Sequence, residues 1–295
     1  MSTAPPADPG AAAAPARPRA AWGPLVPLLI AAVALGVVVL APNLYSDPNG
    51  LDPYTLRTSG VALGLLAVSL VVPSLARARL VLVSLVAITL GWSAFLGAPA
   101  LLGDAGVQQS GDQANLNASV AWFAVTAVIL GLVWLVLRRD HPRLRLLHLG
   151  WGAVACAVAG IVLFFLVFLA IPASLLGREG LPLVAVLRDA PWLVPANMLQ
   201  GAAQELQFRG LLLGSLERLT SPLVANACQS VVFGLAHLAI VYQGPEAPLV
   251  VITAFLGFLL GLATQRTNSL WPAMAVHMVA DVAVFAAVLP GLYGF

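Results

Sequence analysis

Five ionisable side chains fall inside apolar runs in the last third of this 295-residue chain: Glu205, Arg209, His237, His277 and Asp281. A charge at the centre of a hydrocarbon-embedded helix costs about 2.5 to 3.5 kcal/mol on insertion scales, so five of them must face one another or a wet cavity. Glu205 and Arg209 are four residues apart, which puts them on one helix face with the acid toward the amino end, the favourable order for an ion pair. Taken alone, that pair reads as mutual neutralisation, and His237 taken alone reads as a hydrogen-bonded structural residue. His277 and Asp281 change that reading, because they too lie one turn apart and face the same way. Two histidines and two carboxylates on three helices can do acid–base chemistry. Neutral imidazole accepts a proton from water near pH 7, and an imidazolium or a protonated acid donates to an oxyanion in a low-dielectric site.

Polar stripes accompany these groups. Asn197, Gln200 and Gln204 recur at helical spacing beside the Glu205–Arg209 pair, with Gln207 nearby. Asn226, Gln229, Ser230, Phe233 and His237 stack along another segment. Such stripes line a cavity or an interhelical contact. A rival reading takes Glu205, His237 and Asp281 as relay groups of a proton-coupled transporter. Against it, the polar residues recur at unbroken helical spacing, whereas transporter sites are typically built on interrupted helices.

The elements that must carry these residues follow from composition. The chain is 60% hydrophobic and 9% charged, against about a quarter charged in an ordinary soluble domain. That excludes a soluble enzyme and a disordered chain alike. All 14 basic residues are arginine, and no basic patch interleaved with aromatics exists to bind nucleic acid. Cys156 and Cys228 sit in apolar runs and read as small buried hydrophobes. Residues 1–20 are rich in Ala and Pro and read as a disordered tail. Apolar runs of spanning length follow at about 21–41, 59–76, 80–102, 119–137, 149–176, 191–213, 222–242, 247–264 and 270–289. The fold class is therefore all-α: a polytopic transmembrane helical bundle of eight or nine spans. Supporting helices occupy 21–180, and the chemistry occupies a core at 190–289.

Arginine placement sets the orientation. Arg17, Arg19, Arg77, Arg79, Arg138, Arg139, Arg143, Arg145, Arg218 and Arg266 fall in alternate loops and mark the cytoplasm, which places the amino terminus inside and the carboxyl terminus outside. At 1.5 Å per residue from the cytoplasmic ends, His277 lies roughly 10 Å deep, Glu205 roughly 15 to 20 Å and His237 roughly 24 Å. Those depths are too scattered for one site unless the helices tilt, in which case the three groups meet in one cavity.

Three blocks, Gln204-Glu205-Leu206-Gln207-Phe208-Arg209-Gly210, Phe233-Gly234-Leu235-Ala236-His237 and His277-Met278-Val279-Ala280-Asp281, resemble the signature motifs of the CPBP intramembrane proteases, the family of CAAX prenyl endopeptidases and bacterial Abi proteins. Its pattern is Glu-Glu-x-x-x-Arg-Gly, Phe-x-x-x-His and His-x-x-x-Asn or Asp, in this order. Asn268-Ser269-Leu270-Trp271-Pro272-Ala273 resembles the approach to the last motif.

The resemblance implies an endopeptidase that hydrolyses a peptide bond of a membrane-embedded or lipid-anchored substrate in a bacterial plasma membrane. It implies Glu205, His237, His277 and Asp281 as catalytic residues. The first acid and the motif-two histidine would activate water, His277 and Asp281 would hold the oxyanion, and Gln204, Arg209 and Phe233 would support them. The resemblance leaves the cofactor open between zinc, with His237 and His277 as ligands if a metal is bound, and a metal-free carboxylate and histidine mechanism. The departure lies at Gln204, which stands where the family has its first glutamate and which cannot take a proton from water. Three outcomes follow: Glu205 acts as base after a helix rotation or π-bulge that frees it from Arg209, His237 alone activates water, or catalysis is lost and the protein is a membrane scaffold or immunity-type protein.

Overall fold

A computed structural model of the chain describes residues 53–101, 113–137, 144–170, 188, 190–237 and 246–293. The expected tail and the run at 21–41 lie outside them. Among the described residues all regular structure is helical: α1 Pro53–Val71, a 3₁₀ turn Pro73–Ala78, α2 Arg79–Leu101, α3 Gln113–Leu137, α4 Trp151–Ala170 and α5 Leu193–Glu205. A π-helix Leu206–Leu212 and the short α6 Leu213–Leu216 continue α5, followed by α7 Pro222–Ala236, α8 Glu246–Thr267 and α9 Trp271–Tyr293. Each apolar run expected after residue 59 coincides with one of these helices.

Among the described residues, four segments are long and apolar enough to cross a membrane: Pro73–Ala98, Asn115–Val136, Trp151–Ala170 and Val250–Thr267. The apolar stretches Ser59–Val71, Pro222–Ala236 and Trp271–Ala286 are shorter. α4 shows the lipid-facing pattern most plainly, with Val158, Leu163 and Leu166 all exposed on a helix that buries little.

Helix ends follow local chemistry. α1 stops ahead of Pro73, consistent with the bias of a pre-proline residue away from helix. Its last carbonyls are met by Arg79, whose Nε donates to Ser69 O at 2.9 Å and Nη2 to Leu70 O at 3.4 Å, a cation on a helix C-terminus. α7 opens on Ser221, whose hydroxyl accepts from the Val224 N–H, with Pro222 in the first turn. Arg145 and Asn268 both adopt positive φ. The two turns interlock: the Leu270 N–H donates to Arg145 O, and Arg145 Nε donates to Asn268 Oδ1. Arg145 Nη2 also donates to Glu217 at 2.8 Å, and Trp271 Nε1 to Leu146 O. Arg145, expected only to mark the cytoplasmic side, therefore ties the loop before α4 to the ends of α6 and α9.

Packing relies on small residues where helices meet closely. At Gly261 a Cβ would overlap the Asn226 side chain, and Asn226 Nδ2 donates to Phe258 O while Gln229 Nε2 donates to Gly257 O. The polar stripe of α7 is thus largely glue to α8. α5 meets α9 at Gly201, where a Cβ would lie 3.1 Å from the Met278 backbone. Cys156 and Cys228 are free thiols and half-buried, less enclosed than their apolar context implies.

Candidate active site

The segment that carries the first motif departs from the unbroken α-helix its spacing predicts. α5 ends at Glu205, and the next seven residues are π-helical, with the Leu213 N–H donating back to Phe208 O. π-turns of this kind concentrate at functional sites. The turn does not separate the ion pair as the rotated-helix outcome requires. Arg209 Nη1 donates to Glu205 Oε1 at 2.7 Å, and both side chains are fully buried.

Glu205 Oε1 has a second partner, the Nδ1 of His277 at 2.6 Å. The other ring nitrogen, Nε2, faces Asp281 Oδ1 at 3.4 Å. Carboxylates only accept, so a ring protonated on both nitrogens satisfies both neighbours. Asp281 is the most accessible member, at 18% side-chain exposure against 3% for His277. That opens the Asp281 side of the ring to an incoming group. Glu205 Oε2 and Asp281 Oδ2 are buried without a hydrogen-bond partner among the described residues.

Phe233 joins this chain of charges to His237, the histidine of the second motif. The Arg209 guanidinium carbon lies 4.1 Å from the centre of its ring, a cation–π contact worth more in a desolvated site than at a surface. His237 and His277 both meet the same ring edge-on, at 4.6 and 5.4 Å between centroids, and Phe208 meets it at 5.0 Å. The groups therefore meet around one ring, as tilted helices allow and as depths counted from residue numbers alone do not. Residue counting from each helix end fixes depth only for parallel helices that start at one level.

His237 terminates α7 and is nearly buried. Its Nδ1 lies 2.7 Å from the Phe233 carbonyl oxygen. A carbonyl only accepts, so Nδ1 carries the proton and Nε2 is left with its lone pair. Of the groups named, Nε2 is the base not already engaged by a donor. Gln204 is buried, and among the described residues it makes no hydrogen bond to His237 or His277.

A metal bound by His237 and His277 does not fit this donor set. Both His277 nitrogens face carboxylates, His237 Nδ1 is committed to a carbonyl, and no group of three His, Cys, Asp or Glu able to hold an ion exists among the described residues.

Two residues the sequence left unassigned shape the site. A Cβ at Gly257 would lie 2.8 Å from Phe233 Cδ1 and 3.2 Å from Arg209 Nη2, and one at Gly201 would lie 3.3 Å from Asp281 Oδ2. The spacing Gly257-x-x-x-Gly261 was the available signal for the first. The Gln stripe of α5 turns outward from the chemistry: Gln200 donates to Asn115 and Ser119 of α3, and Asn197 to the Leu193 carbonyl of its own helix.

Residues 187–283 match the family model described as type II CAAX prenyl endopeptidase Rce1-like. The resemblance to the CPBP family thus extends over the whole segment that builds the site, roughly a third of the chain, and is not confined to three short motifs. Comparison with curated proteins and with solved structures returned no match.

Proposed function

We propose that this integral membrane protein is an endopeptidase of the CAAX-protease type that hydrolyses a peptide bond of a membrane-associated substrate, with His237 as the water-activating base. One observation carries the reading: the Phe233 carbonyl fixes the His237 tautomer and leaves Nε2 free, while Glu205 is held by two donors. His237 Nε2 takes a proton from water as its oxygen bonds to the scissile carbonyl carbon. The resulting oxyanion accepts from His277 Nε2–H, which turns from its long contact with Asp281, a group preorganised for the charge that develops. Collapse breaks the C–N bond, and His237 returns the proton to the leaving amine. Gln204 orients the water through its amide and takes no proton. Glu205 and Arg209 hold His277 rather than react.

The proposal includes a bacterial plasma-membrane location, eight or nine spans, a cytoplasmic amino terminus and a reactive core at 190–289. A second reading is favoured by Gln204 together with the commitment of Glu205 to its partners: a family member that binds peptides without cleaving them, as a scaffold or immunity-type protein. Incubation of the purified protein with a quenched membrane-peptide library, beside His237→Ala and with and without chelator, separates the two. Cleavage lost in His237→Ala and insensitive to chelator supports the proposal. Binding without cleavage supports the second reading.

A further inference from the structure

The π-helix that presents Arg209 is gripped from outside the site. Gln207 is fully buried, and its single amide nitrogen donates twice, to Ala87 O of α2 at 2.9 Å and to Thr126 Oγ1 of α3 at 2.8 Å. Gly91 of α2 makes room for this, since a Cβ there would overlap both the Gln207 amide and the Trp122 indole. Trp122 in turn is 1% exposed and packs against Trp92 and Phe95. Two of the amino-terminal helices, α2 and α3, therefore close on one side chain of the π-turn, and that side chain lies outside the positions that define the family motif.

A turn of this kind needs such a grip. Its i to i+5 hydrogen bonding competes with an ordinary α-helical register, and shifting the register by one residue rotates everything beyond the turn by about 100° relative to α5. Such a rotation would carry Arg209 off the face of Phe233, where its guanidinium carbon now lies 4.1 Å from the ring centre. Nothing in the Glu205–Arg209 pair itself forbids the α-helical register, because residues four apart are neighbours there too. External contacts must choose between the two, and Gln207 supplies two hydrogen bonds in a dry environment where an unpaired amide is costly.

We propose that Gln207 is a positioning residue: clamped by Ala87 and Thr126, it fixes the phase of the π-turn and so holds Arg209 over the face of Phe233, the ring that also packs edge-on against His277. The inference rests on the protease reading for its catalytic consequence, though not for its structural one. It assigns the amino-terminal helices a part in the site, that of gripping its first motif.

The test compares the full-length native protein in detergent with Gln207→Leu, Thr126→Val and the control Gln200→Leu, which loses the same kind of buried amide contact to α3 on a regular turn of α5. Imidazole C2–H exchange at His277, followed by mass spectrometry, reads the enclosure of the ring without any need for activity. Exchange at His277 accelerates about threefold or more in Gln207→Leu and Thr126→Val and stays at the native rate in Gln200→Leu. In the same samples peptide cleavage falls roughly tenfold in kcat with KM unchanged, as a misplaced catalytic group requires. Unchanged His277 exchange in folded Thr126→Val, which is isosteric and keeps the test valid where Gln207→Leu does not fold, would overturn the proposal. So would equal acceleration in all three variants, which would mean general loosening. A native protein that cleaves nothing would overturn the protease reading alone, because the exchange measurement still decides the role of Gln207.

Discussion

Removing Arg209 isolates what the buried charges do for the fold. Its side chain and that of Glu205 are fully buried, and the pair closes at 2.7 Å with His277 on the same carboxylate oxygen. Arg209→Met deletes the guanidinium but keeps much of the apolar bulk against Phe233, so the dominant loss is electrostatic. Among the described residues it leaves Glu205 with His277 as its one remaining ion-pair partner. Breaking a buried pair from one side costs about 3 to 5 kcal/mol, whereas replacing both partners by uncharged groups of similar volume is often neutral. Arg209→Met should therefore lower Tm by something on the order of 10 °C, at roughly 2 to 4 °C per kcal/mol for chains of 150 to 250 residues. Glu205→Gln with Arg209→Met should recover most of that loss while abolishing cleavage, because His277 loses the carboxylate that orients it. The assay is thermal unfolding by tryptophan fluorescence in one detergent at one scan rate, since unfolding of such proteins is often irreversible. A single variant melting within about 2 °C of native, or a double variant no better than the single, would refute the argument that the pair is electrostatically coupled in a dry interior.

Three further outcomes follow. Gly257→Ala places a methyl 2.8 Å from Phe233 and 3.2 Å from Arg209; overpacking of this kind costs about 1 to 3 kcal/mol, read as a lower Tm together with faster C2–H exchange at His237. Gly201→Val drives α5 from the Met278 backbone and from Asp281, and should reduce cleavage more than Gly201→Ala does, as measured by initial rates on one peptide. Gln204→Glu restores a general base of the family type and should raise kcat by about 10²-fold or more; an unchanged or lower rate would mean that position 204 does not face the attacking water.

The helical class and the identity of the charged cluster were legible because apolar runs and intramembrane charges are costly enough to need explaining. The short motifs pointed to the right segment, since Glu205, Arg209, Phe233, His237, His277 and Asp281 do form one contiguous group. The register of the segment after Glu205 was not legible. α and π turns place Arg209 near Glu205 alike, and what separates them is the grip of Ala87 and Thr126 on Gln207, contacts about 80 to 120 residues away in the chain. Depth counted from residue numbers could not decide between a scattered and a shared site, because helix tilt is set by packing against neighbours. The Arg145–Asn268 interlock, which two residues at positive φ define, is likewise not reported by hydrophobic periodicity. Arg145 itself was read through its charge alone, and its bond to Glu217 was hidden by the general rule that loop arginines mark the cytoplasm.

The most direct test of the central claim is hydrolysis in water enriched in ¹⁸O, with the products of a membrane peptide analysed by mass spectrometry. The native protein should yield two fragments, the new carboxyl terminus carrying one ¹⁸O atom, and His237→Ala should yield none at equal protein concentration and with unchanged peptide binding. Intact peptide bound to the native protein, or fragments that persist in His237→Ala, would contradict the assignment of His237 as the base that activates water.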